Sequence, residues 1–163
     1  MHHFQNDSST KVYLYQPRAF NAQVEVAGVC CEYEGRILLL RRHADKIEGL
    51  TWGLPAGKLE AGEKPLEAAL RELKEEAGFE APPEALKFVA PFYVRRPEID
   101  FIFHMFFLPL AELPLLNIST HEHIDSCWLT LQEGLRLPLI SGGPEILEYF
   151  YLWRKNLKSL NAP

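Results

Sequence analysis

The most informative part of the chain is residues 57–79, which read GKLEAGEKPLEAALRELKEEAGF. Pro65 suits the first turn of an α-helix, because the N–H that it lacks would have no partner there. Gly78 suits the left-handed position that ends a helix, and the residues between the two are strong helix formers. The pattern therefore predicts a helix over residues 65–77.

One face of the predicted helix is apolar. Successive residues turn by about 100° around a helix, so residues three or four positions apart line up in a stripe. The apolar residues of this stripe are Leu66, Leu70, Leu73 and Ala77. We expect the stripe to face a β-sheet and to form part of the core.

A neighbouring sector of the same helix carries three carboxylates. Glu72, Glu75 and Glu76 are separated by one, three and four positions, so their side chains should project from one patch. We expect Arg71 and Lys74 towards the opposite flank, although Arg71 could still pair with Glu75. For a glutamate-rich helix in general, a solvated face is the commoner interpretation.

Metal binding is the alternative interpretation of these carboxylates. Like charges at such spacings destabilise a helix by about 0.2–0.5 kcal/mol per pair. A divalent cation would turn this repulsion into shared coordination, because Mg²⁺ takes oxygen ligands and keeps positions open for phosphate.

The segment before the helix, residues 43–64, is rich in glycine and contains Pro55, which predicts an ordered loop. Loops of this length in compact domains are usually functional. Gly57 can bring a backbone carbonyl close to the helix, and Glu60 and Glu63 supply further carboxylates. The loop thus adds oxygen donors beside the carboxylate patch.

Strand patterns surround this loop and helix. Residues 22–42 indicate a β-hairpin with its turn at Glu34 and Gly35, and residues 86–94, 101–108 and 126–131 indicate further strands. Residues 144–156 indicate a second helix with an apolar surface. Strands before, between and after two helices predict an α/β fold, a mixed central sheet with helices on both faces.

Length and composition indicate one folded domain. The chain has 163 residues, with 47% hydrophobic and 24% charged, which is ordinary for a globular domain and excludes a largely disordered chain. We expect a flexible N-terminus over residues 1–10 and a single domain over residues 11–163. A homodimer is an arrangement that the sequence leaves open.

Charge and cysteine content limit which kinds of partner and which cellular compartment we expect for this chain. A net charge of -5 disfavours a nucleic-acid polymer, although a bound cation could still admit a small anion. No stretch is apolar enough for a signal peptide or a membrane span, so we expect a cytoplasmic protein. The cysteines lack metal or disulfide spacing and should be buried free thiols: Cys30, Cys31 and Cys127.

The spacing of the fixed residues in segment 57–79 resembles the signature of the Nudix hydrolase family at every position. The matching residues, in order, are Gly57, Glu63, Arg71, Glu72, Leu73, Glu75, Glu76, Gly78 and Phe79. This resemblance implies an α/β/α sandwich that hydrolyses a nucleoside diphosphate linked to another moiety. Water would attack phosphorus, assisted by one to three Mg²⁺ ions, with Mn²⁺ as a substitute.

The resemblance also implies roles for individual residues. Glu75 and Glu76 correspond to the main metal ligands, and Glu72 to a further ligand or to the catalytic base. Gly57 resembles the residue whose carbonyl binds metal. Arg71, paired with Glu63, resembles the residue that orients the loop against the helix.

Glu122 is a second candidate for the catalytic centre. It lies between His121 and His123 and resembles a family glutamate that reaches the metal site from a loop. An exposed loop carboxylate explains the residue equally well. The two histidines suggest zinc only weakly, because no further ligand stands at a suitable spacing.

Two pairs of arginines could meet phosphate oxygens, with ordinary surface charge as the alternative. They are Arg41 with Arg42 and Arg95 with Arg96. Several aromatic residues could stack a base, although such residues are more often core. They are Trp52, Phe92, Tyr93, Phe101 and Phe103.

Subtype features favour a nucleoside triphosphate or modified nucleotide as substrate. Trp52 and the segment 57–60 resemble the family branch that cleanses mutagenic nucleotides. Residues 54–57 resemble ADP-ribose hydrolases, but Pro91 and Pro97 straddle the place where that group carries its proline. An ADP-ribose or other ADP-sugar pyrophosphatase is therefore the main alternative.

Two further classes are disfavoured. An isomerase of isopentenyl diphosphate needs an active-site cysteine, which the sequence does not place. A sensor module without catalysis usually loses the glutamates of the signature, and here all of them are present.

Overall fold

The computed structural model describes residues 9–160, so most of the predicted flexible N-terminus, residues 1–8, lies outside the described part. The strands are β1 Lys11–Tyr13, β2 Ala22–Tyr33, β3 Arg36–Arg42, β4 Trp52–Gly53, β5 Ala56–Lys58, β6 Lys87–Arg95, β7 Asp100–Pro109 and β8 His123–Leu129. The helices are α1 Pro65–Glu72, which continues as a π-helical turn over Leu73–Ala77, α2 Leu131–Gly134 and α3 Gly143–Leu160. A short 3₁₀ turn covers Pro83–Ala85.

The strands form one mixed sheet in the order β1-β6-β7-β2-β3-β4, with β5 paired to β2 and β8 paired to β3. The long central strands β2 and β7 run parallel, whereas β6 pairs antiparallel with β7 and β3 antiparallel with β2. Because β5 hydrogen-bonds to the middle of β2, the loop before α1 is fixed at the centre of the sheet.

Helices cover both faces of this sheet, so the predicted α/β/α sandwich is confirmed. On one face, the helix α1 and its π turn pack Leu73 and Ala77 against Val29 and Leu38. On the other face, α3 packs Leu147 and Phe150 among side chains that include Phe92 and Phe107. Alternate residues of β2 enter the two clusters, as expected for a central strand that is buried on both faces.

Most predicted elements are present, with local differences. The loop contains two short strands, β4 and β5, and Leu131 begins α2 instead of ending a strand. In α1 the most buried positions include Ala68 and Ala69, whereas Leu66 and Leu70 are half-buried. Small alanine side chains allow the helix to lie close to β2. The face of α1 that is buried against the sheet is therefore rotated relative to the predicted apolar stripe.

The three cysteines are free thiols. Cys30 and Cys31 are fully buried on β2, and burial raises the pKa of Cys31 to about 12. Cys127 is partly buried, and burial raises its pKa to about 11. Within residues 9–160, none of the helices is both long and apolar enough to cross a membrane.

Candidate functional site

Arg71 lies at the centre of the carboxylate sector, so its predicted place on the opposite flank is wrong. Its guanidinium binds both oxygens of Glu63, with Nε–Oε1 and Nη2–Oε2 distances of 2.8 Å each. Nη1 also donates to Glu72 at 2.6 Å and to Glu75 at 3.3 Å, and Nη2 donates to the carbonyl of Lys58 at 3.0 Å. The long side chain bends towards these oxygens and joins the loop to the helix.

This contact has an electrostatic consequence for Glu63. Hydrogen bonds from Arg71, together with one from the backbone N–H of Glu60, lower the pKa of Glu63 to about 2. Glu63 is therefore a permanent anion at neutral pH. The expected pairing of Arg71 with Glu63 is present in the structure.

Glu72 is buried against the backbone of Gly57. A Cβ atom on Gly57 would overlap the carboxylate of Glu72, so only glycine leaves room for this contact. Gly57 is held there because β5 pairs with β2, with Gly57 opposite Ala27. Burial raises the pKa of Glu72, and the hydrogen bond from Arg71 partly offsets the effect.

Glu76 is the most deeply placed carboxylate of the sector. It is 8% exposed, and it accepts a hydrogen bond of 2.9 Å from the backbone N–H of Ala56. Burial raises its pKa to about 8, and the negative charges of Glu72 and Glu122 add to this effect. A nearby cation would favour the ionised form of Glu76.

Glu75 stands apart from the other two, with 58% of its side chain exposed. Across residues 9–160, no three His, Cys, Asp or Glu side chains stand together as a complete metal-binding group. The donors around Gly57 nevertheless fit Mg²⁺ in chemistry, since they are oxygen atoms and two of them belong to buried carboxylates whose charge is disfavoured. Glu75 would have to turn from Arg71 to join them.

Glu122 reaches this region from the loop before β8. The backbone N–H of Ser119 donates to the carbonyl of Glu76 at 3.1 Å, and the N–H of Glu122 donates to the carbonyl of Ser119 at 3.1 Å, so the loop of Glu122 lies against the end of the helix. The charge of Glu122 raises the pKa of Glu76. Oε1 of Glu122 accepts a hydrogen bond of 2.9 Å from Nζ of Lys46, on the loop that follows β3. The structure thus brings Glu122 towards the helix glutamates, with Lys46 as its present partner.

A cavity of about 460 Å³ opens beside Gly57. Its size is within the range of small-molecule sites. Most of its wall is apolar, with residues that include Val26, Trp52, Leu54, Phe101 and Phe103. Of the other aromatic candidates, Phe92 is buried in the core and Tyr93 packs edge-on against Phe20.

The structure separates the members of each arginine pair. Arg42 and Arg96 line the cavity. Arg41 instead lies over the ring of Trp52 and donates to the carbonyl of Leu50 at 3.3 Å, and Arg95 pairs with Asp100 at 3.1 Å. Arg42 ends β3 directly after Arg41, and Arg96 directly follows the end of β6 at Arg95, so in each pair the arginine at or beyond the strand end lines the cavity.

His123 is a cavity residue that the sequence suggested only as a weak zinc candidate. It is 4% exposed and lines the cavity, and its Nδ1 is buried without a hydrogen-bond partner. Burial and the charge of Arg42, its partner across β3 and β8, lower its pKa to about 4. A neutral imidazole therefore stands next to Arg42, a placement that only the strand pairing reveals.

Comparison with known proteins gives the family. A family model described as the NUDIX domain matches residues 22–150. The ADP-ribose pyrophosphatase of Bacillus subtilis (strain 168) is 34% identical over 116 residues, which are 69% of this chain and 60% of that protein. The CTP pyrophosphohydrolase of Escherichia coli (strain K12) is 29% identical over 133 residues, 80% of this chain and 93% of that protein.

A solved structure supports the same assignment. The solution structure of the E. coli ORF135 protein superposes with a TM-score of 0.64 at 30% identity, covering 80% of this chain and 90% of that one. The family match spans the hairpin, the glutamate-bearing helix, the cavity strands and the N-terminal part of α3, up to residue 150. With this coverage, the chain belongs to the Nudix hydrolase family.

Proposed function

We propose that the chain is a Mg²⁺-dependent pyrophosphohydrolase that cleaves a diphosphate bond in a nucleoside triphosphate or a modified nucleotide. The observation that carries the proposal is the burial of Glu72 against Gly57 and of Glu76 against the backbone N–H of Ala56, because Ala56 and Gly57 line an apolar cavity together with Arg42. Buried carboxylates supply the metal site, and the cavity supplies space for the organic part of a nucleotide.

The metal would be held by Glu72, Glu75, Glu76 and the carbonyl of Gly57. When bound, Mg²⁺, or Mn²⁺ in its place, would polarise the phosphoryl oxygens and lower the pKa of a bound water. Arg71 keeps Glu72 in place and fixes the loop through Glu63. These contacts support positioning roles for Arg71 and Glu63.

Proton transfer would fall to Glu72 or Glu122. Glu72 has a raised pKa, and Glu122 lies close enough to influence Glu76. Arg42 is the arginine best placed for phosphate, because it lines the cavity opposite His123 and makes no ion pair with a carboxylate among the described residues. Arg96 would contact the organic part, whereas Arg41 and Arg95 are engaged outside the cavity lining.

The substrate would be a small nucleotide in the cytoplasm, since the net charge of -5 opposes binding to a nucleic-acid polymer. An ADP-ribose or other ADP-sugar pyrophosphatase is the second candidate, supported by the 34% identity to the Bacillus enzyme of that name. The isomerase alternative is weakened because Cys30 and Cys31 are fully buried. The sensor alternative is opposed by the complete set of glutamates.

The test is an assay of triphosphates, dinucleoside polyphosphates and sugar nucleotides with Mg²⁺, with the products identified. Nucleoside monophosphate plus pyrophosphate would support the first candidate, and AMP plus ribose phosphate the second. Glu76→Gln should fold and lose several orders of magnitude in turnover. A variant with near wild-type rate would exclude Glu76 as a metal ligand, and no turnover of any compound by the wild type would favour the sensor.

A further inference from the structure

The cavity has two chemically different ends. Along β2, Gly57 lies beside Ala27 and Phe101 lies beside Val24. Three residues of a strand span about 10 Å. Gly57 marks the carboxylate end, and Phe101 marks the far end.

Arg96 stands at the far end and is held firmly. Its guanidinium lies 5.2 Å from the centre of the Phe101 ring, and 14% of its side chain is exposed. Nη2 donates to the carbonyl of Ser141 at 2.9 Å, and Nη1 lies 2.9 Å from Oε2 of Glu48. These contacts fix the guanidinium in a single orientation towards the cavity.

Glu48 completes this network from a separate segment. Its carboxylate accepts hydrogen bonds from the backbone N–H of Ser141, at 2.8 Å, and from the Ser141 hydroxyl. Glu48 has a φ of +53°, a region that non-glycine residues rarely adopt. Such a conformation is strained, and it persists where surrounding contacts determine it. Three distant parts of the chain therefore meet to place one arginine.

The charge around Arg96 argues against phosphate as its ligand. Glu48 neutralises the guanidinium, and Glu98, two positions from Arg96 in the chain, lines the same cavity. Lys58, another cation of the lining, follows Gly57 at the carboxylate end, so two negative charges accompany one positive charge at the far end. An added phosphate would be repelled by this surplus. By contrast, Arg42 has no carboxylate within ion-pair distance among the described residues, and its Nε donates to the carbonyl of Ile47 at 2.8 Å.

A neutral ring with hydrogen-bond acceptors suits the far end. A guanidinium has five N–H donors and no acceptor, and Glu48 and Ser141 use only part of them. The aromatic side chains of Phe101 and Phe103 line the cavity nearby and can pack against a flat ring. Base carbonyl oxygens are well suited to arginine, as in its pairing with guanine.

We infer that Arg96, positioned by Glu48 and Ser141, is a specificity-determining residue that donates hydrogen bonds to a carbonyl-bearing nucleobase: guanine, cytosine or uracil. Adenine has no carbonyl and presents an amino donor, so it would be disfavoured. The inference rests on the proposed function in that it takes the ligand to be a nucleotide. Binding and hydrolysis can nevertheless be measured separately.

The experiment is calorimetric titration of the full chain with GMP, CMP, UMP and AMP in the presence of Mg²⁺. Wild type should bind at least one carbonyl-bearing monophosphate about tenfold more tightly than AMP, the effect of roughly one good arginine contact. Arg96→Lys keeps the charge beside Glu48 but lacks the planar fork. This variant should lose the preference for carbonyl-bearing bases, while its affinity for AMP stays within about twofold of the wild-type value.

Arg154→Lys is the matched control. Arg154 also pairs with a glutamate, Glu32 at 2.8 Å, and lies 4.9 Å from the centre of a phenylalanine ring, that of Phe107, but it is absent from the cavity lining. This variant should keep the wild-type preference. Circular dichroism on both variants checks the fold.

Each outcome separates the two claims. Equal wild-type affinity for all four nucleotides, an equal loss for all four in Arg96→Lys, or no nucleotide binding would overturn the inference. A preference that Arg96→Lys removes, together with no hydrolysis of any triphosphate, would sustain the inference and overturn the proposed function. Hydrolysis of a triphosphate, together with a base preference that is unchanged in Arg96→Lys, would support the proposed function and overturn the inference.

Discussion

At the scale of single residues, the close contact between Gly57 and Glu72 makes position 57 intolerant of any side chain. A Cβ atom would overlap the Glu72 carboxylate. Gly57→Ala should therefore lower the free energy of unfolding by about 1–3 kcal/mol and reduce turnover. Urea denaturation measures the first effect and the product assay the second.

Gly134→Ala is the control for that substitution. A Cβ there would approach only Cδ1 of Leu39, at 3.3 Å, the far end of a flexible side chain. Alanine also has the higher helix propensity, so the change in unfolding free energy should stay below about 1 kcal/mol. A Gly57→Ala variant as stable and active as Gly134→Ala would contradict the close packing at Gly57.

The buried carboxyl of Glu76 gives the metal-free protein a distinctive pH dependence. Its pKa is about 8 in the folded protein against a reference value of 4.5. Between these values the folded state binds more protons than the unfolded state, so stability should fall as pH rises from about 4.5 to 8. The slope approaches roughly 1.4 kcal/mol per pH unit within this window.

Glu76→Gln removes the titrating group and should flatten the curve over that window. Denaturation of chelator-treated protein at several pH values measures both curves. The variant should be more stable than wild type at pH 8, because it has no buried charge at this position. Parallel curves for the two proteins would show that Glu76 is not the group responsible.

At the scale of elements, the helix is not uniform along its length. α1 ends at Glu72, and a π-helical turn carries Leu73–Ala77 before Gly78 ends it with a φ of +79°. A π turn holds more residues than an α turn, so the angular positions predicted at about 100° per residue no longer apply. Glu76 is buried on the same side of the turn as Leu73 and Ala77, whereas Glu75 lies at the edge of that side and is exposed.

Arg71 connects this helix to the preceding loop, and its removal should be costly. Arg71→Met would leave the carboxylates of Glu63 and Glu72 without their partner. We expect a loss of about 1–3 kcal/mol in unfolding free energy, together with a large loss of turnover. Thermal and urea denaturation measure the stability term.

Lys74→Met, on the same helix, provides the comparison. Lys74 pairs with Glu80 at 2.7 Å, and both side chains are exposed. Exposed ion pairs contribute about 0–1 kcal/mol, so this variant should remain close to wild type. Similar losses in both variants would indicate that Arg71 acts as an ordinary surface charge.

At the scale of the whole molecule, the cavity depends on α3 as its outer layer. Ile146 and Leu147 of α3 line the cavity, and Phe150 anchors the helix among Phe107 and Trp153. Phe150→Ala should destabilise the protein by about 3–5 kcal/mol. Leu152→Ala, at an exposed position of the same helix, should change stability by less than about 0.5 kcal/mol. Equal effects would show that α3 is not anchored through Phe150.

Local sequence patterns predict the hairpin, the longer strands, the two main helices and the spacing of Gly57, Glu63 and the helix glutamates. These features are local, since periodicity, turn residues and helix-ending residues act over a few positions. The fold class followed from the order of the elements. The family resemblance rested on local spacing too, and the match over residues 22–150 confirms it.

Contacts between remote segments, in contrast, set which side chains line the same cavity. Arg42 faces the cavity because of the pairing of β3 with β8, and Arg96 is placed by Glu48 and Ser141, which lie 48 and 45 positions away from it in the chain. The burial that raises the pKa of Glu76 likewise comes from packing between elements. Burial and charge pairing depend on distances between remote segments, and these distances are absent from any local pattern.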